Sequence, residues 1–205
     1  MGAMAEVKKP NNTIDKLALI VTTYKRQQLL ETLFDSILAL EQAPWRIVIV
    51  DNEQSDQTAD MVAAFAGKVT GQWADQSGNE ERVVYAPQTE NLGGAGGFSA
   101  GVAKAYELGA AWFWVMDDDV AVLPDAIAKL SKWTDKHEVI QGSRFDYDGG
   151  PFYWQYDFIA SKAACSTAVW LRKSVCRTRA SSSTGMTRCM ATAPARSPTR
   201  LWCPT

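Results

Sequence analysis

At 205 residues, with 46% apolar and 21% charged residues, the chain is long enough to bury one α/β core and has the composition of a globular protein. A net charge of −2 excludes a general nucleic-acid surface. No apolar run approaches the roughly 20 residues needed to span a bilayer, so no transmembrane segment is expected.

The opening MGAMAEVKKPNN lacks the apolar stretch of a secretory signal, and residues 1–15 read as a flexible leader. Glu6 stands where a myristoylation motif calls for Ser or Thr. Lys16 to Thr23 (KLALIVTT) is a short, branched, apolar run and is expected to be a strand. It ends in the polar cluster Thr22-Thr23-Tyr24-Lys25-Arg26. From Gln27 to Leu40, Leu29, Leu30, Leu33, Phe34, Ile37 and Leu38 recur at helical spacing. Trp45 to Val50 is a second strand and runs into Asp51-Asn52. Ser55 or Asp56 is placed to cap a second helix with Met61, Val62 and Phe65 facing the core. Gly67 to Asn79 reads as loop, and Arg82 to Ala86 as a third strand. The glycine-rich stretch Asn91 to Gly97 opens onto a helix from about Phe98 to Leu108, which Gly109 stops. Ala110 to Met116 is a continuous apolar run, the mark of a strand buried on both faces, and it collides with Asp117, Asp118 and Asp119. A helix over Pro124 to Thr134, a strand over Val139 to Gly142 and an aromatic hairpin over Phe145 to Phe158 complete the pattern.

Alternating strands and helices specify a parallel sheet covered on both faces, and ligands of such sheets sit beyond the carboxyl ends of the strands. The clusters at Thr22–Arg26, Asp51-Asn52, Asn91–Gly97 and Asp117–Asp119 all follow strands and converge on that edge. Three adjacent carboxylates repel one another unless a cation sits among them, and their oxygens suit Mg2+ or Mn2+; the plainer reading is an acidic turn capping the next helix. Asp51 fits a hydrogen bond to a ribose or base, or an ordinary turn. The glycines permit either a tight turn or a close approach of bare backbone to a diphosphate or sugar. A dinucleotide fingerprint would follow the first strand, and here the glycines follow the third. His137 lies in a charged stretch and is expected to be exposed and inert. There is no Cys–His pair with metal spacing and no Ser–His–Asp arrangement. The hairpin aromatics are expected in the core, with sugar stacking as the alternative.

VTTYKR at 21–26, VDN at 50–52, NLGGAGGFSAG at 91–101 and MDDD at 116–119 together resemble a family 2 glycosyltransferase of the GT-A fold, most similar to galactofuranosyl- and rhamnosyltransferase-like members. The resemblance covers residues 17 to about 160. It implies an α/β, Rossmann-like, mostly parallel sheet with helices on both faces, incomplete at its C-terminal side. The implied activity is transfer of a sugar from a nucleotide diphosphate-sugar, of UDP-galactofuranose or dTDP-rhamnose type, to a hydroxyl of a cell-wall or surface glycan or glycolipid. The implied donor site uses Thr22, Tyr24, Arg26, Asp51, Asn91, Gly93, Gly94 and Asp118, with Asp117 and Asp119 on a divalent metal, Mn2+ or Mg2+. The implied location is cytoplasmic, peripheral to the inner face of the membrane in a full-length parent. A nucleotidyltransferase would carry a glycine- and lysine-rich loop after its first strand, absent here. A non-catalytic nucleotide-sugar-binding module is the other alternative.

The family places its catalytic base in a downstream acidic motif, but the chain has no Asp or Glu after Asp157. Residues 161–205 hold all four cysteines, accumulate Arg, Ser and Thr, and show neither helical nor strand periodicity. Regrouping the bases so that each codon takes the third base of one residue and the first two of the next forces Asp at Met186-Thr187 and Gly at Met190-Ala191. With permitted codons Cys176 to Ala193 becomes PNPGFFIYWDDEMYGYR, whose WDDE resembles the missing motif. The expectation is a frameshift between about Lys162 and Ser174, leaving an out-of-frame, disordered tail, no identifiable catalytic residue and an inactive chain. A genuine basic tail binding an acidic partner or a membrane surface is the alternative.

Overall fold

The protein is described by a computed structural model, over residues 14–74, 81–142 and 169–172. Leu17–Thr23 (β1), Arg46–Asp51 (β2), Val83–Pro87 (β3) and Trp112–Asp117 (β4) are parallel strands. Gln27–Leu38 (α1), Asp56–Gln72 (α2) and Gly93–Leu108 (α3) connect them, followed by Ala126–Ser131 (α4), Val139–Gln141 (β5) and Val169–Arg172 (β6). The sheet order is β3-β2-β1-β4-β6-β5, with β6 antiparallel to both neighbours. The chain steps outward from β1 through β2 to β3 and then crosses back to β4 on the other side of β1. That reversal opens a crevice between the tips of β1 and β4, where α/β sheets bind ligands.

Strand alternation sorts the core into two layers. Leu19, Val21, Ile47, Ile49, Trp114 and Met116 face α1, α2 and α4, meeting Leu30, Leu33, Phe34, Val62, Phe65 and Ile127. The rings of Phe34 and Phe65 stack there with centroids 4.0 Å apart. Ala18, Ile20, Val48, Val50, Phe113 and Val115 face the other way, onto Phe98, Val102 and Ala105 of α3. β1 and β2 are buried at every position, as strands covered on both faces must be.

Three elements differ from the sequence expectation. The second helix runs on through Gly67 to Gln72, because Val69 and Trp73 continue the apolar stripe of Val62 and Phe65; both are buried. Ser55 is its cap, accepting from the Thr58 amide at 3.1 Å. The glycine stretch is helix, not loop, from Gly93 onward. Gly97 and Gly101 lie one turn apart on the face that meets the sheet. A Cβ on Gly97 would collide with Thr22, and one on Gly101 with Ile20 and Val50. These glycines bring helix and sheet together. Finally, the sheet passes residue 160, where the sequence reading ends the domain, because the apolar Val169–Arg172 pairs between β4 and β5. The hairpin expected at 145–158 lies outside the described residues.

Candidate functional site

β1 and β4 end side by side, with Thr22 in register with Asp117, and the backbone amide of Asn52 bonds the Thr23 carbonyl at 3.0 Å. The polar clusters at the ends of β1, β2 and β4 therefore meet on one edge. Alternation then divides them between the two faces. Thr22 and Asp117 share the α3 face, whereas Thr23, Asp118 and Asp51 lie toward α1 and α2.

On the α1 side, Asp118 is 3% exposed and accepts from the Thr23 hydroxyl at 2.7 Å. Its other oxygen accepts from Arg26 at 3.3 Å, and the same guanidinium nitrogen reaches Asp119 at 3.2 Å. Arg26 flanks the start of α1 and is exposed, as are Tyr24 and Asp119. Lys25, between Tyr24 and Arg26, adopts a left-handed φ of 56°, the turn that carries the chain from β1 into α1. Burial pushes the Asp118 carboxyl upward, opposed by the Thr23 hydroxyl and the Arg26 charge and reinforced by Asp119. A carboxyl raised in the folded state contributes its stability below the unfolded pKa and loses it as pH rises through the folded one. Relative to Asp118→Asn, the wild type is thus expected to lose unfolding free energy as pH climbs from below 3.8 toward neutral. Urea melts across that range check the sign, and a gap that moves the other way contradicts it.

Asp51 is fully buried. Its carboxylate accepts from the amides of Glu53 (2.8 Å) and Ser55 (3.1 Å) and from the Tyr85 hydroxyl (2.8 Å). Burial, then the bond to Asp51, pushes the Tyr85 phenol far upward, so it remains the donor. These contacts are those of a loop anchor holding the β2–α2 connection, where Gln54 also takes a left-handed φ of 58°. On the α3 side, Asn52 Nδ2 donates to the Gly93 carbonyl at 3.2 Å, and Asn91 Oδ1 accepts from the Gly93 amide at 2.9 Å. Gly93, at φ 67°, and Gly94 are exposed at the start of α3, which has no side-chain cap. Thr22 Oγ1 and Asn52 Oδ1 are buried beneath this turn without a hydrogen-bond partner among the described residues.

All the residues singled out in the sequence therefore lie along one sheet edge, but not all face outward: Asp118 and Asp51 point into the protein. Thr23 and Asn52 enter the sequence reading only as members of their clusters, without a role of their own, and Tyr85 does not enter it. The period-2 pattern could have flagged Thr23, since a residue next to Thr22 must face the opposite layer. Tyr85 carried no such signal, because its partner is 34 residues away.

The family model described as "Glycosyl transferase family 2" matches residues 18–188. The chain belongs to this glycosyltransferase family. Its curated relatives include the galactofuranosyltransferase GlfT1 of Mycolicibacterium smegmatis, 35% identical over 100 residues, and that of Mycobacterium tuberculosis, 30% identical over 102. The matched stretch is 49% of this chain but only 28% and 29% of those relatives. Among solved structures, S. aureus TarS 1-349 superposes with a TM-score of 0.56 at 15% identity, over 78% of this chain and 48% of TarS. The same TarS fragment in complex with UDP-GlcNAc gives 0.56 at 16% identity, over 78% of this chain and 46% of that one. These likenesses establish the GT-A α/β fold expected from the motifs. Among the described residues no helix is long and apolar enough to cross a membrane.

A GT-A site implies a divalent cation, and the donor chemistry here fits one. No group of three His, Cys, Asp or Glu residues forms a ready cage among the described residues. Hard cations in phosphate sites are bound through one or two carboxylates, with phosphate oxygens and waters completing the shell. Exposed Asp119 and half-buried Asp117 supply that number of hard oxygens at the mouth of the crevice.

Proposed function

We propose that this edge is the donor site of a galactofuranosyltransferase-like enzyme that moves a sugar from a nucleoside diphosphate-sugar to a hydroxyl of a cell-wall glycan. The observation carrying this reading is the meeting of Thr22 to Arg26 with Asp117 to Asp119 at the strand-order reversal, within a family 2 glycosyltransferase domain. The named relatives favour UDP-galactofuranose as donor.

In this reading Asp117 and Asp119 hold the cation, Mn2+ or Mg2+, which when bound neutralises charge on the departing nucleoside diphosphate. Arg26 and Tyr24 face the diphosphate. Asn91, Gly93 and Gly94 border the nucleotide at the exposed start of α3, where Asn91 already holds the Gly93 amide. Asp51, buried, does not reach the base or ribose itself but braces the loop beside them through the Glu53 and Ser55 amides and the Tyr85 hydroxyl. Asp118, held by Thr23, keeps its two neighbours aimed at the crevice. In an inverting displacement the acceptor oxygen attacks the anomeric carbon, its proton passes to a carboxylate, and the bond to the diphosphate breaks. The carboxylate that takes the proton belongs to the WDDE segment, which is out of frame here, so the chain binds donor without transferring it. In this reading the frame change lies between about Lys162 and Ser174.

UDP titrated into the protein by calorimetry, with Mn2+ and then with EDTA, tests the reading. Binding that requires the cation is expected; heat that is absent in both or equal in both overturns it.

A further inference from the structure

Arg26 links two carboxylates with a single nitrogen, at 3.3 Å from Asp118 and 3.2 Å from Asp119. The two contacts differ in kind. The Asp118 side chain is 4% exposed and also held by Thr23, whereas Asp119 is 44% exposed and Arg26 itself 52%. The first carboxylate is therefore fixed, and the second is where an incoming charge arrives. A divalent cation on Asp119 and the guanidinium held against the same carboxylate repel each other, so the cation weakens the Arg26–Asp119 contact.

We propose that Arg26 is an exchangeable counter-ion of Asp119. It neutralises the carboxylate in the empty site and yields it when a divalent cation enters with a diphosphate. The released guanidinium then takes the diphosphate, for which its planar fork of donors is suited. The inference rests on the donor-site reading and adds a consequence of its own. A bare cation costs Arg26 its contact with Asp119 and leaves it only the Asp118 contact it already has. A cation arriving with diphosphate offers Arg26 a new partner. Cation and nucleotide therefore bind with positive coupling, and by linkage each raises the affinity of the other equally.

Arg26→Gln separates this from a structural role, because the two arms of the measurement move in opposite directions. Mn2+ binding to the protein alone, followed by the loss of the free Mn2+ paramagnetic resonance signal, is expected to tighten about two- to fivefold, the upper part of the range of an exposed ion pair. UDP binding in saturating Mn2+ is expected to weaken about tenfold, and the coupling between the two ligands to collapse. A structural role would leave both affinities unchanged or weaken both. Lys25→Gln removes the same charge one residue earlier, away from the aspartates, and is expected to change bare Mn2+ affinity less than twofold. Arg26→Lys, which keeps the charge but loses the fork, is expected to resemble wild type toward Mn2+ and Arg26→Gln toward UDP. Circular dichroism confirms that each variant is folded. Bare Mn2+ affinity that is unchanged or lower in Arg26→Gln overturns the exchange, whatever UDP does. UDP binding independent of Mn2+ in the wild type overturns instead the site reading beneath it.

Discussion

Gly101→Val is expected to destabilise the fold by about 3 kcal/mol, at the upper end of the range for overpacking a close-packed interior. The added Cβ would run into the γ-methyls of Ile20 and Val50, both 0% exposed in the sheet beneath α3. Those side chains are β-branched and held at χ1, so they cannot swing aside, and α3 has to lift. At about 2–4 °C per kcal/mol for a domain of this size, the melting temperature should fall by roughly 6–12 °C. Gly67→Ala is the opposite case. That glycine is exposed within α2, and a Cβ there meets nothing within 4 Å. Removing its backbone freedom should stabilise the helix by about 0.5–1 kcal/mol. Thermal melts of the pair therefore move in opposite directions. A Gly101→Val protein that melts with the wild type would mean that α3 does not pack as described.

On the proposed frameshift, restoring the reading frame between about Lys162 and Ser174 is expected to have the largest effect on chemistry. The 205-residue chain ends its supply of carboxylates at Asp157, whereas the regrouped segment from Thr184 to Arg188 carries adjacent acids. A positioned general base is typically worth about 10²–10⁴ in rate, so release of UDP from UDP-galactofuranose in the presence of an acceptor glycan should rise by at least that factor. Replacing the three acids of the restored segment by their amides should remove the gain. Equal turnover by the two proteins, or an uninterrupted coding frame supported through the tail, would contradict the proposal.

The fold was legible because strands buried on both faces leave continuous apolar runs, as in KLALIV, RIVIV and WFWVM. Helix ends were less so. The polar residues from Gly67 to Gln72 masked a stripe whose decisive members, Val69 and Trp73, lie outside the segment's average character. The glycines of α3 were legible as a close approach but not as an approach to what: against the sheet, a glycine saves space for Ile20 and Val50, and sequence alone does not distinguish that from space for a ligand. The same limit applies to the acids. Their place at the strand tips followed from the order of elements. Which of them points inward depends on partners such as Thr23 and Tyr85, far apart in the chain and brought together only by the parallel register.

In the proposed site Asp117 and Asp119 would hold a divalent cation against a nucleoside diphosphate. Calorimetric titration of UDP in Mn2+, repeated on Asp117→Asn and Asp119→Asn, tests it most directly. Each substitution removes a charged, hard oxygen ligand from a site that has few, and second-ligand losses of about 10–100-fold are the scale set even by indirect contacts to metals. Losses of at least that size, with curves that converge on those of the wild type in EDTA, are the predicted result. Variants that titrate as the wild type does in Mn2+ would contradict the account.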